Sequence, residues 1–561
     1  MKGAKFGLAM VAMAYYSALA EAAAEASKPN VVVFFVDDLG YGDLGFTGHP
    51  TTKTPNLDNL AKNGKILSSF YSGYPVCTAS RASLLTGRQP PRIGVPGVFG
   101  PTVNVGLPLN ETTLGDQFKK RGYNTAIMGK WHLGQREMFL PGNRGFDEWL
   151  GIPYSDDMGG GRASKCNSEV GVKAGSGVKP HEQWYEDYCN EGWCHGKDRP
   201  SNDPAATYLP LVLQTHNMPG GKVNTTVLEQ PLDFSKLAGR YNSFVTNFIA
   251  ANKDDPFFLY MPFSHVHTTN NLQPEMQYCG CNFKNKTSRG AFGDALAEID
   301  WIVGNVVKEL ESYGLDENTL ILFTADNGPW MVRGSSAGSP GLFYGRASGY
   351  WNVGKGSTWE GGIHEAAFAY WKGKIAAGTK SDETISAMDI FPTLSNLIGA
   401  DLPKNVVIDG KDMSDILFDR NGGKTKHDFL FFYGLHGCKS WKGPLAARYG
   451  PYKAHFSTGP GLGGCKGCET KCYCEDPFDE KSCQPLLFDV LVDPSEAYPL
   501  NIPSISSAIV AGLQEELRTF HYGKLTAPPD QPGEGPGRYG VCCDRTKRCD
   551  CSGPLPPVSS N

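Results

Sequence analysis

Beyond Met1 to Ala20 the sequence contains no apolar run of about 20 residues, the length a helix needs to cross a bilayer. A transmembrane segment is therefore not expected. Nor is there an excess of charge of either sign. Lys and Arg total 53 against 58 Asp and Glu, a net charge of −5 over 561 residues. That balance offers little to nucleic acid or to an anionic membrane surface. No internal repeat is seen, which removes solenoid architectures. From Thr526 to Asn561 the chain is rich in Pro, Gly and Cys and poor in apolar residues, so this tail should have no core of its own.

What is present suits a large exported enzyme. A hydrophobic content of 40% with 11% aromatics over this length can fill several cores. Lys2 and Lys5 precede an apolar stretch from Phe6 to Ala20 that ends in Ala18-Leu19-Ala20, which reads as a signal peptide over residues 1–20, cleaved at about 20–26. The cysteines agree, 16 in all. Cys166, Cys189 and Cys194 form one group and Cys279 with Cys281 another. A third group is Cys465, Cys468, Cys472, Cys474 and Cys483, and a fourth Cys542, Cys543, Cys549 and Cys551. The Cys-x-x-Cys in the third group could hold zinc, but in an exported chain disulfides are favoured. Setting Cys77 aside leaves an odd number, so one thiol should be free or intermolecular. Asn110, Asn224 and Asn285 open Asn-x-Thr sequons and would be glycosylated in a eukaryotic secretory pathway.

Strands alternate with helices along most of the chain, the pattern of an α/β layer fold. Asn30 to Val36 is a continuous β-branched and apolar run, as in a strand buried on both faces. Thr125 to Met128, Pro256 to Pro262 and Thr319 to Thr324 read alike. Helices are expected at Pro55 to Gly64, Thr113 to Arg121, Tyr241 to Lys253 and Asp294 to Tyr313. Beyond about residue 425, short strands (Phe429 to Tyr433, Ala446 to Tyr449, Tyr452 to Phe456, Leu486 to Leu491) and a helix at Ile505 to Thr519 predict a smaller antiparallel sheet with one helix. The expected organisation is thus a mostly parallel α/β domain over 28–425, an antiparallel-sheet subdomain over 426–525 and the tail over 526–561.

The residues that follow the strands carry the chemistry. Asp37 and Asp38 end the first strand, Lys130 and His132 follow the second, His265 and His267 the third, and Asp326 with Asn327 the fourth. Ligands of an open parallel sheet bind outside the carboxyl ends of its strands. Asp37, Asp38, Asp326 and Asn327 offer only oxygen, which suits calcium, or magnesium, better than zinc. Arg81, Lys130 and Lys355 match the three carboxylates in number, so a divalent cation would leave a surplus of positive charge for an anion.

Two segments are distinctive enough to suggest a family. Cys77-Thr78-Ala79-Ser80-Arg81 runs into Ser83-Leu84-Leu85-Thr86-Gly87-Arg88, and Gly122-Tyr123 leads through Thr125-Ala126-Ile127-Met128-Gly129-Lys130-Trp131-His132 to Leu133-Gly134. Both resemble the signatures of type I sulfatases in the alkaline phosphatase superfamily, arylsulfatases above all, and the likeness extends over nearly the whole mature chain. The resemblance implies hydrolysis of sulfate monoesters, with Cys77 oxidised to formylglycine by a formylglycine-generating enzyme. It implies one calcium held by Asp37, Asp38, Asp326, Asn327 and the modified residue 77. It implies that Arg81 and Lys130 orient the hydrated aldehyde, that Ser155, His267 and Lys355 contact it or the sulfate, and that His132 takes a proton. Ala79 stands where the family usually has proline, and no proline follows His267, so His265 stays a candidate beside it.

The implied substrate is a sulfated small molecule, glycolipid or glycan, and the implied location lysosomal or secreted, with a homo-oligomer left open. Protonated histidines beside sulfate predict an optimum at about pH 4.5–6. Two other readings compete: a superfamily phosphatase or phosphodiesterase with Thr78 as nucleophile and two zincs, and a non-catalytic binder of sulfated glycans.

Overall fold

A computed structural model describes residues 28–161, 208–216, 221–269, 276–465, 468–530, 540–543 and the backbone of 551–552. The expected signal segment and Cys166, Cys189, Cys194 and Cys549 lie outside the described residues.

An 11-stranded sheet organises the chain, in the order Thr379–Ser381, Lys65–Leu67, Phe368–Tyr370, Thr319–Ala325, Asn30–Val36, Phe257–Pro262, Asn124–Met128, Glu148–Gly151, Leu211–Thr215, Asn224–Gln230 and Cys551–Ser552. The five strands from Thr319–Ala325 to Glu148–Gly151 run parallel. Antiparallel strands flank them on both sides. Asn30–Val36 shows why the centre is parallel. All seven residues are buried. Val32, Phe34 and Val36 join one core, with Leu296 and Ile299 of the helix Gly290–Ser312. Val31, Val33 and Phe35 join the other, with Leu84 and Leu85 of the helix Cys77–Thr86. Side chains alternate across a strand, so an uninterrupted apolar run needs cover on both faces.

The expected helix stripe holds: Leu296, Ile299, Ile302, Val303, Val306 and Leu310 are all buried. The helix expected from Tyr241 begins earlier, at Phe234, where the Asp233 carboxylate accepts the Ser235 amide. The flanking strands Leu211–Thr215 and Asn224–Gln230 escaped sequence reading because polar residues interrupt them.

The later part of the chain forms a four-stranded antiparallel sheet, Leu430–Phe432, Ala446–Tyr449, Tyr452–His455 and Leu486–Asp489, with the helix Pro503–Thr519 packed on it through Ile509 and Leu513. Cys465 pairs with Cys468, Cys474 with Cys483, and Cys438, outside the expected groups, with Cys472. The Cys-x-x-Cys is therefore a disulfide and not a zinc clasp. Cys279 has a free thiol, as the odd count required. The tail is less separate than its composition suggests. Cys551–Ser552 pairs with Glu229 and Gln230 at the edge of the large sheet.

Candidate active site

Cys77 opens the ten-residue helix Cys77–Thr86, which ends at Gly87 with φ +68°. The first-turn amides of a helix point outward and favour negative charge. Residues i and i+4 share a helix face. The Cys-x-x-x-Arg spacing thus sets Arg81 beside Cys77, where its Nη2 lies 3.0 Å from Asp37 Oδ2 and 2.9 Å from Asp326 Oδ2. Arg81 Nη1 donates to the Lys130 carbonyl at 2.9 Å, so one buried guanidinium ties the ends of three strands together.

Asp37 and Asp38 leave the first strand with Asp38 at φ +56°. Lys130 follows Gly129, where an added Cβ would meet the Pro262 carbonyl oxygen at 2.0 Å, and His132 also takes a positive φ of +59°. Such backbone at non-glycine residues costs energy and gathers at functional sites. Lys130 Nζ donates to Asp37 Oδ2 at 2.5 Å and to Ser155 Oγ at 3.1 Å. Lys355 Nζ lies 2.7 Å from Asp38 Oδ1. Reciprocal backbone bonds between Asp37 and the turn at His265 and Val266, each 2.9 Å, bring His267 in. Its Nε2 is 3.4 Å from Asp38 Oδ2 and 3.5 Å from Ser155 Oγ, while Nδ1 donates to the Thr268 carbonyl at 2.8 Å. His265 faces away, 3.1 Å from Glu298 Oε2. Of the two candidates, His267 is the one at the site. Thr78 is also turned away, its hydroxyl accepting the Phe99 amide at 3.1 Å.

Three buried oxygens here have no hydrogen-bond partner: Asp37 Oδ1, Asp38 Oδ2 and Asn327 Oδ1. Asn327 Nδ2 donates to Asp38 Oδ1 at 2.8 Å, which turns its oxygen outward. Asp37, Asp38 and His267 bring donor atoms within 4.8 Å of one another. Asp326 is more heavily engaged, with Oδ1 accepting the Asp38 amide at 3.1 Å and Oδ2 bound to Arg81. Electrostatics point the same way. Burial raises Asp37, but Lys130 and Arg81 outweigh it and hold the carboxyl well below its usual range. Burial pushes Asp326 up to about 7 and raises Asp38 too, opposed only in part by Arg81 and Lys355. Three cations face three carboxylates, and the unpaired carboxylate and amide oxygens suit a hard divalent cation.

Burial, then Lys130 and Arg81, hold His132 well below the usual histidine range, and burial with Lys355 and Lys130 does the same to His267. The expectation of protonated rings concerned the sulfate-bound site, where a neighbouring anion would act against these shifts. Burial raises the Cys77 thiol, so the unmodified cysteine would be a poor nucleophile.

Beside Cys77 lies a narrow cavity lined by Ser155, His267 and Lys355 together with Val98, Asp157, Met158, Trp330 and Leu462. Sequence reading missed the last five of these. Trp330 follows the Asp326 segment closely enough to have been suspected, but Leu462 comes from the C-terminal subdomain and carries no local signal.

A cationic, oxygen-rich pocket at the carboxyl edge of a parallel sheet, with a buried cysteine on a helix N-terminus, defines a hydrolase of anionic esters. The sulfatase family model matches residues 29–400, and a model for the C-terminal region of aryl-sulfatase matches 425–551. Arylsulfatase A of Bos taurus is 37% identical over 550 residues, covering 95% of this chain and 97% of that protein. Steryl-sulfatase of Rattus norvegicus is 34% identical over 84% of this chain and 85% of its own length. The crystal structure of the PsFucS1 sulfatase from Pseudoalteromonas sp. superposes with a TM-score of 0.68 at 28% identity, covering 90% of this chain and 93% of that one. The chain belongs to the sulfatase family and is a sulfuric ester hydrolase.

Proposed function

We propose that the protein hydrolyses sulfate monoesters of the aryl type, with Cys77 converted to formylglycine and one calcium ion held by Asp37, Asp38, Asp326 and Asn327 together with residue 77. The observation that carries this reading is the set of unpartnered buried oxygens on Asp37, Asp38 and Asn327, the two carboxylates held by Arg81, Lys130 and Lys355, next to a cavity that Cys77 and Lys355 share. Calcium, held by Asp37, Asp38, Asp326 and Asn327, would lower the proton affinity of the hydrated aldehyde, and a hydroxyl of that hydrate would supply the oxygen that attacks sulfur as the bond from sulfur to the alcohol breaks.

The chain's own residues do the rest. Arg81 and Lys130 hold Asp37 and keep residue 77 in place. Lys355, Ser155 and His267 reach the sulfate from the cavity wall, where Lys355 balances its charge. Lys355, or His267 once the sulfate has brought a proton to its Nε2, gives a proton to the departing alcohol, and His132 accepts one through its free Nδ1.

The substrate class follows the relatives' names, aryl and steryl sulfates. Asn110, Asn224 and Asn285 are exposed, which supports glycosylation in a secretory pathway leading to the lysosome or the exterior. Mass spectrometry of the Cys77 peptide should show formylglycine, metal analysis should give one calcium per chain, and nitrocatechol sulfate should be hydrolysed. An unmodified thiol in protein from its native host, with no turnover, would refute the reading. Two zincs per chain would return the phosphatase alternative.

A further inference from the structure

His132 is oriented by a single carbonyl. Its Nε2 lies 2.9 Å from the Phe99 oxygen. A carbonyl only accepts, so Nε2 carries the hydrogen, and in the neutral ring the lone pair falls on Nδ1, which is buried without a partner. Phe99 also ties to the helix of Cys77, through its amide and the Thr78 hydroxyl at 3.1 Å. One peptide segment thus spans the proposed nucleophile and the proposed base.

That segment has no secondary structure to hold it. Between Ile93 and Leu114 there is neither helix nor strand, so its path depends on Val95, Phe99 and Leu107 packing in the second core, on the Leu107 amide donating to Leu133 O at 2.8 Å, and on side-chain bonds to its carbonyls. Tyr74 OH donates to Pro96 O at 2.8 Å, Gln135 Nε2 to Val103 O at 2.7 Å, and Arg136 Nη1 to Asn104 O at 3.4 Å. Arg136 is 1% exposed, and it reaches past the loop to a distant part of the chain. Its Nη1 donates to Pro528 O at 3.0 Å and its Nη2 to Pro529 O at 2.8 Å. The chain that delivers those carbonyls is itself fastened. Phe520 packs in a cluster with Tyr74, Val76 and Ala79 and lies under Arg92, whose guanidinium carbon is 4.2 Å from the ring centre. The Gly523 amide donates to Pro91 O at 2.9 Å, and Leu525 packs on the second core.

We propose that residues 520–529 form a strap that positions His132, with Arg136 as the positioning residue that links the strap to the Phe99 loop. The inference rests on the role given to His132 above. A guanidinium shared between loop and strap fixes both, and the two prolines stiffen the strap against the entropy of holding it there. Small displacements of a base cost rate steeply.

The test compares Arg136→Ala, Arg136→Lys and the double variant Pro528→Gly/Pro529→Gly in the full-length protein, using steady-state hydrolysis of nitrocatechol sulfate and hydrogen exchange of residues 94–104. Arg136→Ala should lower kcat about tenfold with KM within about twofold, and the loop amides should exchange faster. Arg136→Lys, which keeps a donor, should recover part of kcat. The proline variant should fall between them. If Arg136→Ala does not fold, the proline variant, which leaves the core and Arg136 intact, decides. Wild-type kcat and unchanged exchange in a folded variant would overturn the proposal, as would a loss confined to KM. If the wild-type enzyme turns over no sulfate ester, the catalytic reading fails separately, while exchange still decides whether the strap holds the loop.

Discussion

Two buried charge clusters lie close together in this molecule, and only one leaves carboxylate oxygens open beside a cavity. The first joins Asp37, Asp38 and Asp326 to Arg81, Lys130 and Lys355. The second joins Glu360, at the end of the Lys355 loop, to Lys453, His455 and Glu496 of the C-terminal subdomain. In the second, every carboxylate oxygen is used. Glu360 Oε1 meets Lys453 Nζ at 2.7 Å, and Oε2 meets His364 at 2.7 Å and Tyr71 OH at 3.0 Å. Glu496 Oε1 meets His455 at 2.7 Å and Lys453 at 3.2 Å, and Oε2 accepts the Glu360 amide at 2.8 Å. The first cluster leaves oxygens unpaired beside a cavity. Buried charge therefore does not by itself mark a site. Unpartnered oxygens gathered beside a cavity do, because an unsatisfied buried group is costly unless a ligand completes it, whereas a single unpartnered nitrogen, His455 Nδ1, occurs in the second cluster too.

The sharpest way to separate the clusters is to remove the proposed nucleophile. Cys77→Ala should lower kcat by about 10⁴-fold or more in a steady-state assay, while thermal unfolding stays near wild type. A large fall in melting temperature with residual turnover would mean that Cys77 is structural.

Lys453→Met tests the opposite cluster. It leaves Glu360 and Glu496 as buried, under-compensated carboxylates, and breaking such a pair costs about 3–5 kcal/mol. Denaturant unfolding should show that loss, and the protein that remains folded should keep its kcat. If kcat collapses with stability unchanged, the contrast between the clusters is wrong.

Lys355→Ala should do the reverse. It removes a cation that borders the cavity, so kcat should drop about 10²–10³-fold, with a smaller stability loss than Lys453→Met because water can enter the space it leaves.

Acid sharpens the comparison further. Burial opposes the Glu360 carboxylate, but Lys453 and His364 outweigh it and hold its pKa below the usual range. Burial also lowers His455, although Glu496 acts against the shift. A depressed carboxyl stabilises the fold above its unfolded value of 4.5 and loses that contribution as pH falls towards its folded value. A depressed histidine resists the proton that the unfolded chain takes up below 6.5, so it too costs stability on acidification. Melting temperature should decline below about pH 6.5 and more steeply below about 4.5, and Glu360→Gln should flatten the steeper limb. An unchanged slope in that variant would remove Glu360 from the account.

Local pattern determined a great deal. The apolar run Asn30–Val36 had to be a doubly covered strand, because alternation sends its side chains to both faces, and its end had to deliver Asp37 and Asp38 to the sheet's carboxyl edge. The Cys77–Arg81 spacing fixed one helix face. Disulfide preference followed from the number of cysteines and from the export segment expected at residues 1–20. Tertiary structure alone decided what local pattern does not encode. The choice of His267 over His265 came from backbone pairing between Asp37 and a turn more than 200 residues away in sequence. The cavity lining by Leu462, the partners of Glu360 and the strap on Arg136 all depend on long-range packing between the two sheets and the tail. Periodicity reports which face of an element is buried, but not which distant atom meets it there.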